Sequence, residues 1–370
     1  MKKIRVGVLF GGRSGEHEVS LMSARSILAN LSPEKYAVTP IGITHEGTWY
    51  TGENVHEAFT NGQTNGLVRV VLLPEPGHNT LYSLHNAPGG QNLQPLTELD
   101  VIFPILHGTF GEDGAPQGLF EMADMAYVGA GILGSAVGMD KGLFKDLLQK
   151  HGIKVPEYQV FTRLQVETQI EDVITVAESI SSYPLFVKPA NLGSSVGISK
   201  CRNKSELLDG LRDAARYDRR VIVERGINAR EIEVSVMGNE EPVASIPGEV
   251  IPSDEFYSYS AKYLDNSSRL IIPAPLDPQI ASKIQDIAVK VFKTIDCAGF
   301  ARVDIFLDKE NNEILVNEIN TIPGFTQISM FAKLWEACGM SFQGVLDRLI
   351  ELALQRKEEN NKTLRKFKKG

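Results

Sequence analysis

The chain has 370 residues, 42% of them hydrophobic and 23% charged, with a formal net charge of -8. That is enough apolar material for two or three packed domains of ordinary globular composition, and with no basic stripe nucleic acid is not an expected partner. Three widely spaced cysteines, Cys201, Cys297 and Cys338, form neither a zinc pattern nor an even-numbered disulfide framework and are read as buried apolar thiols in a reducing cytoplasm.

The start, MKKIRVGVLFGG, is basic like a signal peptide, but Gly11 and Gly12 break its apolar run early, so residues 4–10 are read as a first strand. No segment approaches the roughly 20 continuous apolar residues of a membrane-spanning helix. After GGRSGEHEVS, apolar residues recur at helical spacing through Val19, Met22, Ile27 and Leu28, which predicts strand, glycine turn and helix. Further strands at 37–43 and 99–106, the second followed by a glycine-rich loop and a short helix, predict an open α/β sheet ending near residue 140. Loops at the carboxyl edge of such a sheet form its binding edge. The first glycine turn lacks GxGxxG spacing and no acidic residue ends the second strand, which argues against an NAD-dependent dehydrogenase.

From 141 to about 225 the pattern becomes helix (141–150), strand, helix, strand (185–188), a long glycine loop, strand, helix (203–216) and strand (221–224), a small α+β lobe. Within it, LFVKPANLGSSVGIS (185–199) delivers Lys188 into a loop of two glycines and two serines. Backbone amides and hydroxyls of such a loop can face phosphate oxygens, with the lysine as a point charge. No GK[ST] occurs and the segment runs into the strand ISKC before any helix, so this is a flap between strands and not a Walker A loop. A plain surface hairpin is the alternative. The segment VIVERGINAREIEVSVMG ends one strand in Glu224 and begins the next near Glu231; alone it reads as an interdomain linker.

The stretch FARVDIFLDKENNEILVNEINTIPG (300–324) predicts a hairpin around the turn-rich DKENN. Alternation puts Arg302 and Asp304 on one face of the first strand and Glu318 and Asn320 on one face of the second, with Val303, Ile305 and Ile319 on the other. With the turn centred near Asn311, Asp304 falls opposite Glu318. Facing like charges destabilise a sheet, so the pair asks for a cation, and magnesium takes such carboxylate and amide oxygens. Solvated acids on an exposed hairpin are the alternative. A terminal helix follows, and Arg356 with the charged KEENNKTLRKFKKG after it is read as a frayed end or solvated tail.

Taken together and in order, GGRSGEHEVS, HGTFGEDGAPQG (107–118), MDK (139–141), KPANLGSSVG, the spacing of ERGINAREIEV, SAKY (260–263) and NEINTIPGFTQISM (317–330) resemble the D-alanine:D-alanine ligases over about residues 4–350. The resemblance implies a three-domain α/β ATP-grasp fold: an amino-terminal open α/β substrate domain (1–140), a central ATP-grasp lobe (141–225) and a carboxyl-terminal ATP-grasp domain (226–370) with a lid segment (249–268). It implies ATP-dependent ligation of two D-alanine molecules through an acyl phosphate, for peptidoglycan precursor synthesis. ATP, two magnesium ions for which manganese substitutes, potassium and a cytoplasmic homodimer are further expectations of the resemblance.

By motif position the resemblance places Lys141, Phe186, Lys188, Gly193, Ser195, Glu224, Arg225, Ile227 and Glu231 around ATP, and Asp304, Glu318 and Asn320 on magnesium. Arg225 and Gly226 stand where relatives often carry lysine and a bulky residue. Lys262 would approach the γ-phosphate from the lid, and Glu16 would hold the first ammonium in a hydrogen-bonded set with Ser194 and Tyr263. Arg302 and the Gly324 amide would face the oxyanion, Val19 and His107 would lie near the first substrate, and Ser329 and Met330 would hold the second substrate's carboxylate. A ligase of the same architecture that accepts a hydroxy acid such as D-lactate stays open, although Lys262 followed by Tyr263 favours the dipeptide. A non-catalytic nucleotide-binding module would have no need to pair Asp304 with Glu318 beside Arg302.

Overall fold

The computed structural model describes residues 2–193, 196–251 and 269–365. Ser194, Ser195, Lys262 and Tyr263, with the 249–268 segment beyond residue 251, lie outside the described residues. Among the described residues no helix is long and apolar enough to cross a membrane.

The apolar run at the start folds as β1 (Ile4–Gly11), buried from Val6 onward. It pairs in parallel with β2 (Tyr36–Ile43) and β7 (Val101–Pro104), and layers on both faces explain why its apolar residues are continuous and not alternating. Antiparallel strands β3 (Trp49–Thr51), β4 (Val68–Leu72), β5 (Thr80–Ala87) and β6 (Gly90–Glu98) extend the sheet on one side, and β8 (Ala126–Tyr127) closes the other, in the order β6-β5-β4-β3-β2-β1-β7-β8. The sequence reading did not mark β3 to β6. Almost all of β6 is exposed, so no buried face imprints an alternation on it.

The second sheet is antiparallel, in the order β11-β10-β12-β9, from β9 (Tyr158–Thr162), β10 (Leu185–Pro189), β11 (Ser199–Cys201) and β12 (Arg220–Arg225). Helices Ile170–Glu178 and Lys204–Tyr217 cover it through Val173, Ile174, Leu207, Leu211 and Ala214. The third comprises β13 (Ala229–Gly238), β14 (Val243–Ala244), β15 (Gly248–Ile251), β16 (Arg269–Ile271), β17 (Gly299–Asp308) and β18 (Ile314–Asn320). Its path is β16-β15-β13-β17-β18, with β14 paired to β13. Helix Pro278–Thr294 buries Ile284, Ala288, Val291 and Phe292 against Val303, Ile305 and Ile319 of the hairpin, and burial of each side chain larger than Ala288 stabilises the fold by about 1.5–3 kcal/mol.

The carboxyl-terminal helix Phe342–Asn361 does not stay with the third sheet. Its Val345, Leu349 and Ile350 share one core with Val6, Val8 and Phe103 of the first. Tyr36 and Lys35 each donate to Asp347 at 2.7 Å. Two expectations are corrected here. Arg356 is no part of a solvated tail, because it donates to the Tyr127 carbonyl at 3.0 Å and to the Gly129 carbonyl, and stacks 4.2 Å over the Tyr127 ring, while Lys357 pairs with Asp124. Cys201 and Cys297 are buried, but Cys338 is exposed.

Candidate active site

A cavity of about 380 Å³ opens where loops of the first sheet, the glycine loop of the second and the hairpin face of the third converge. Eleven of the expected positions line it: Glu16, Val19, His107, Lys141, Gly193, Arg302, Glu318, Asn320, Gly324, Ser329 and Met330. Glu16 precedes helix His17–Asn30 at the carboxyl end of β1, and its side chain does not cap that helix. Two glycines make room for its carboxylate. Gly108 has φ of +74°, where only glycine is unstrained, and a methyl group there would overlap Glu16. A methyl on Gly193 would lie 2.7 Å from the same carboxylate.

At the other end the loop after β18 leads into helix Met330–Ala337, preceded by Ser329. The Ser329 hydroxyl meets the Thr326 amide at 3.0 Å and its hydroxyl at 2.7 Å. The Met330 side chain packs with Val250 and Leu334, so it contributes apolar wall, while the first-turn amides have no acceptor inside the helix. Lys333 also lines the cavity. A helix start beside a lysine favours an anion such as a carboxylate.

Arg302 and the acids form the third wall. Register places Glu233 of β13 opposite Asp304 of β17, and Asp304 opposite Glu318 of β18, a row of acids across three strands. Arg302 donates through Nε and Nη2 to the two oxygens of Asp304, each at 2.7 Å, and its Nε lies 3.0 Å from Glu233. Asn320 donates to Asp304 at 3.0 Å, and Lys141 lies 3.6 Å from Glu318. The expected cross-strand pair is present, but the repulsion assigned to a metal is already answered by Arg302 and Lys141. The oxygen-rich set of two carboxylates and an asparagine amide still suits magnesium.

Behind this wall lies a sealed ion cluster. Lys188 of β10 donates to Glu224 of β12 at 2.6 Å, and Lys145, completely buried, lies 3.1 Å from the other Glu224 oxygen. Lys145 also donates to the Asn317 carbonyl at 3.0 Å, tying helix Lys141–Lys150 to the strand that carries Glu318. Burial alone would raise the Glu224 pKa, but the two ammonium groups overrule it and bring it down to about 2. Burial pushes Lys145 below the ordinary lysine value, against the pull of Glu224. Lys141 donates to the Leu192 carbonyl at 2.7 Å, and both residues line the cavity.

The other expected nucleotide residues are strung along the crossing between the second and third sheets. Phe186 pairs with Glu224 across β10 and β12, Arg225 lies 2.6 Å from Glu157, Ile227 sits between β12 and β13, and Glu231 faces Val250 and Phe306 in register. None of them lines the cavity.

The sequence reading missed Lys145, Glu233, Glu112, Ser23 and Lys333. Lys145 follows Lys141 by four residues on one helix, a spacing that puts both on one face. The alternation of Glu231, Glu233 and Ser235 carried the second signal. Glu112 was visible only as part of the HGTFGEDGAPQG run; its Oε1 lies 3.7 Å from His107 Nδ1. Burial lowers the His107 pKa and Glu112 raises it, and the net direction is up. Burial and the nearby Glu16 likewise push Glu112 up.

Comparison with known proteins agrees with this geometry along the chain. Family models described as D-ala D-ala ligase N-terminus and D-ala D-ala ligase C-terminus match residues 5–130 and 147–351. A D-alanine–D-alanine ligase of Natranaerobius thermophilus is 48% identical over 368 residues, 99% of each chain. Among solved structures, the D-alanine-D-alanine ligase from Coxiella burnetii is 36% identical with a TM-score of 0.82, over 98% of this chain and 97% of that one. The VanG D-Ala:D-Ser ligase from Enterococcus faecalis is also 36% identical with a TM-score of 0.82, over 95% and 100%. The α/β architecture is that of ATP-grasp enzymes, and the chain belongs to the D-alanine–D-alanine ligase family.

Proposed function

We propose that this chain joins two D-alanine molecules into D-alanyl-D-alanine, converting ATP to ADP and phosphate. The observation that carries this reading is the polarity of the cavity. Glu16 offers a carboxylate to an ammonium at one end, Ser329 and Lys333 beside a helix start suit a carboxylate at the other, and Arg302 and Gly324 lie on the same lining. Two amino acids laid in line satisfy both ends.

A carboxylate is a poor acyl donor because its oxygen leaves badly. Its attack on the γ-phosphorus of ATP creates a mixed anhydride, and Lys141, Lys188 and Arg302 supply positive charge for the transferring group. The amine of the second D-alanine then attacks the acyl carbon, and phosphate departs from a tetrahedral intermediate whose oxyanion faces Arg302 and the Gly324 amide. Asp304, Glu318 and Asn320 are the residues that would hold magnesium, which when bound supplies charge neutralisation at the nucleotide phosphates. Manganese in its place, a second magnesium, potassium activation, a homodimer and a cytoplasmic location belong to the same proposal. So do Ser194, Ser195, Lys262 and Tyr263 over the bound substrates, and Phe186, Arg225, Ile227 and Glu231 around the nucleotide.

The test is incubation with ATP, magnesium and D-alanine, alone or with D-serine or D-lactate, measuring phosphate and product together. Equal phosphate and D-alanyl-D-alanine, with D-serine and D-lactate poor competitors, is the expected result. Predominant D-alanyl-D-serine or depsipeptide would replace the proposed acceptor, and phosphate release without any ligated product would overturn the proposal.

A further inference from the structure

We propose that Ser23 is a positioning residue that, with His107, clamps the loop bearing the Gly324 amide and so aims that amide into the cavity. The inference rests on the ligase reading above and goes beyond it, because Ser23 needs no contact with any substrate.

The loop has an unusual pattern of cover. Thr321, Ile322, Pro323 and Phe325 are buried, while Gly324 between them is partly open and lines the cavity. The first sheet grips it on both sides of that opening. His107 Nδ1 lies 2.9 Å from the Ile322 carbonyl oxygen; a carbonyl only accepts, so this nitrogen carries the proton. The Phe325 amide donates to Ser23 Oγ at 3.2 Å. Ser23 Oγ and His107 Nε2 are 3.0 Å apart, which closes the ring of contacts.

In the neutral imidazole, the Ser23 hydroxyl donates to Nε2 while its oxygen accepts from Phe325, and every polar atom of the ring is satisfied. If the imidazole is protonated, Nε2 donates to Ser23 instead, and the two bonds that hold the loop keep their direction. The peptide between Pro323 and Gly324, which carries the Gly324 N–H, therefore lies between two peptides that are each fixed by a side chain of the first sheet. Ser23 and His107 are almost fully buried, so water cannot stand in for a lost contact.

The Phe325 ring is held separately. It packs against Phe103 at 6.0 Å, Phe300 at 5.6 Å, Phe331 at 5.4 Å and Phe342 at 5.5 Å between centroids. That cluster anchors the side chain but leaves the backbone direction at Gly324 to the two hydrogen bonds. Loss of Ser23 should therefore tilt the amide without unfolding the loop. Such a fault acts most where the oxyanion forms, after the acyl phosphate has been made.

The experiment is steady-state ligation by Ser23→Ala, with phosphate and dipeptide counted together and amide hydrogen exchange followed at Phe325. The expected result is a fall in kcat for dipeptide of about tenfold or more, a KM for ATP within about twofold of the parent, a higher ratio of phosphate to dipeptide, and faster exchange at Phe325. Ser23→Cys keeps the shape with a weak acceptor and is expected to lie between the two; it also serves if Ser23→Ala does not fold. A parental phosphate-to-dipeptide ratio with unchanged exchange at Phe325 in either folded variant overturns the clamp. Failure of the ligase reading would show differently, as absence of dipeptide from the unsubstituted protein, and exchange at Phe325 would still decide the clamp.

Discussion

Two charged regions of this protein solve the same problem in opposite ways. In the hairpin wall, Glu233 and Asp304 share Arg302 and Lys141 lies 3.6 Å from Glu318, so among the described residues three acids meet two cations. In the buried cluster, Lys145 and Lys188 share the single carboxylate of Glu224, so among the described residues cations outnumber acids there. A nucleotide phosphate chain with its divalent cation carries charges of both signs, and on the proposed function it would lie between the two regions. The regions also differ in cover: Glu224 is almost wholly buried, whereas the Glu318 side chain is 22% exposed.

The largest expected effect comes from breaking the sealed side. Glu224→Gln leaves two buried ammonium groups without their counter-charge and is expected to cost about 3–5 kcal/mol of folding stability, read from urea unfolding. Adding Lys145→Met should recover part of that loss, since a contacting charged pair is not additive. If the double variant is as unstable as the sum of the single ones, Lys145 and Glu224 do not act as a pair.

On the open side the balance reverses, with function suffering more than fold. Glu318→Gln should reduce ligation about 100-fold or more, since it removes a carboxylate proposed for magnesium. Stability should change by no more than about 1 kcal/mol, because losing the contact with Lys141 is offset by relief of the like-charge facing of Asp304 and Glu318. Turnover near that of the parent at low millimolar magnesium would remove Glu318 from the metal assignment.

Glu16→Gln should sharpen the separation between substrate and nucleotide ends. The KM for D-alanine is expected to rise by about tenfold or more while that for ATP moves by about twofold at most, because the lost charge is the one proposed to face an ammonium. Matching increases in both constants would mean that Glu16 serves the nucleotide as well.

The smallest effect is a pH dependence. The two neighbouring ammonium groups hold the folded-state pKa of Glu224, about 2, below the ordinary 4.5 of a glutamate. Its ionised form therefore stabilises the fold above the ordinary carboxylate range, and this contribution fades as pH falls through the folded value. The stability gap between the parent protein and Glu224→Gln should be full above about pH 5 and shrink steadily toward pH 2. A constant gap across that window would contradict the ion cluster.

Much of this was legible in the sequence, for reasons that differ by region. The 141–150 helix and the 300–324 hairpin announced themselves because period and turn chemistry agreed, and the facing of Asp304 and Glu318 followed from counting back from the turn. The edge strand β6 was silent because exposure erases the pattern. Lys145, Glu233 and Ser23 were missed because each works through a partner distant in sequence, Glu224, Arg302 and Phe325 respectively. The first-sheet core likewise includes a helix from the far end of the chain, which no local pattern could reveal.

The central claim is that the D-alanine carboxylate itself takes the γ-phosphoryl group before the peptide bond forms. D-alanine labelled with oxygen-18 in its carboxylate, incubated with ATP and magnesium, tests it directly. On this account the attacking carboxylate oxygen, which any amide formation must remove, leaves with the phosphate, so each phosphate released with a dipeptide carries one labelled oxygen. Phosphate free of the label, released in step with dipeptide, would contradict the acyl-phosphate route.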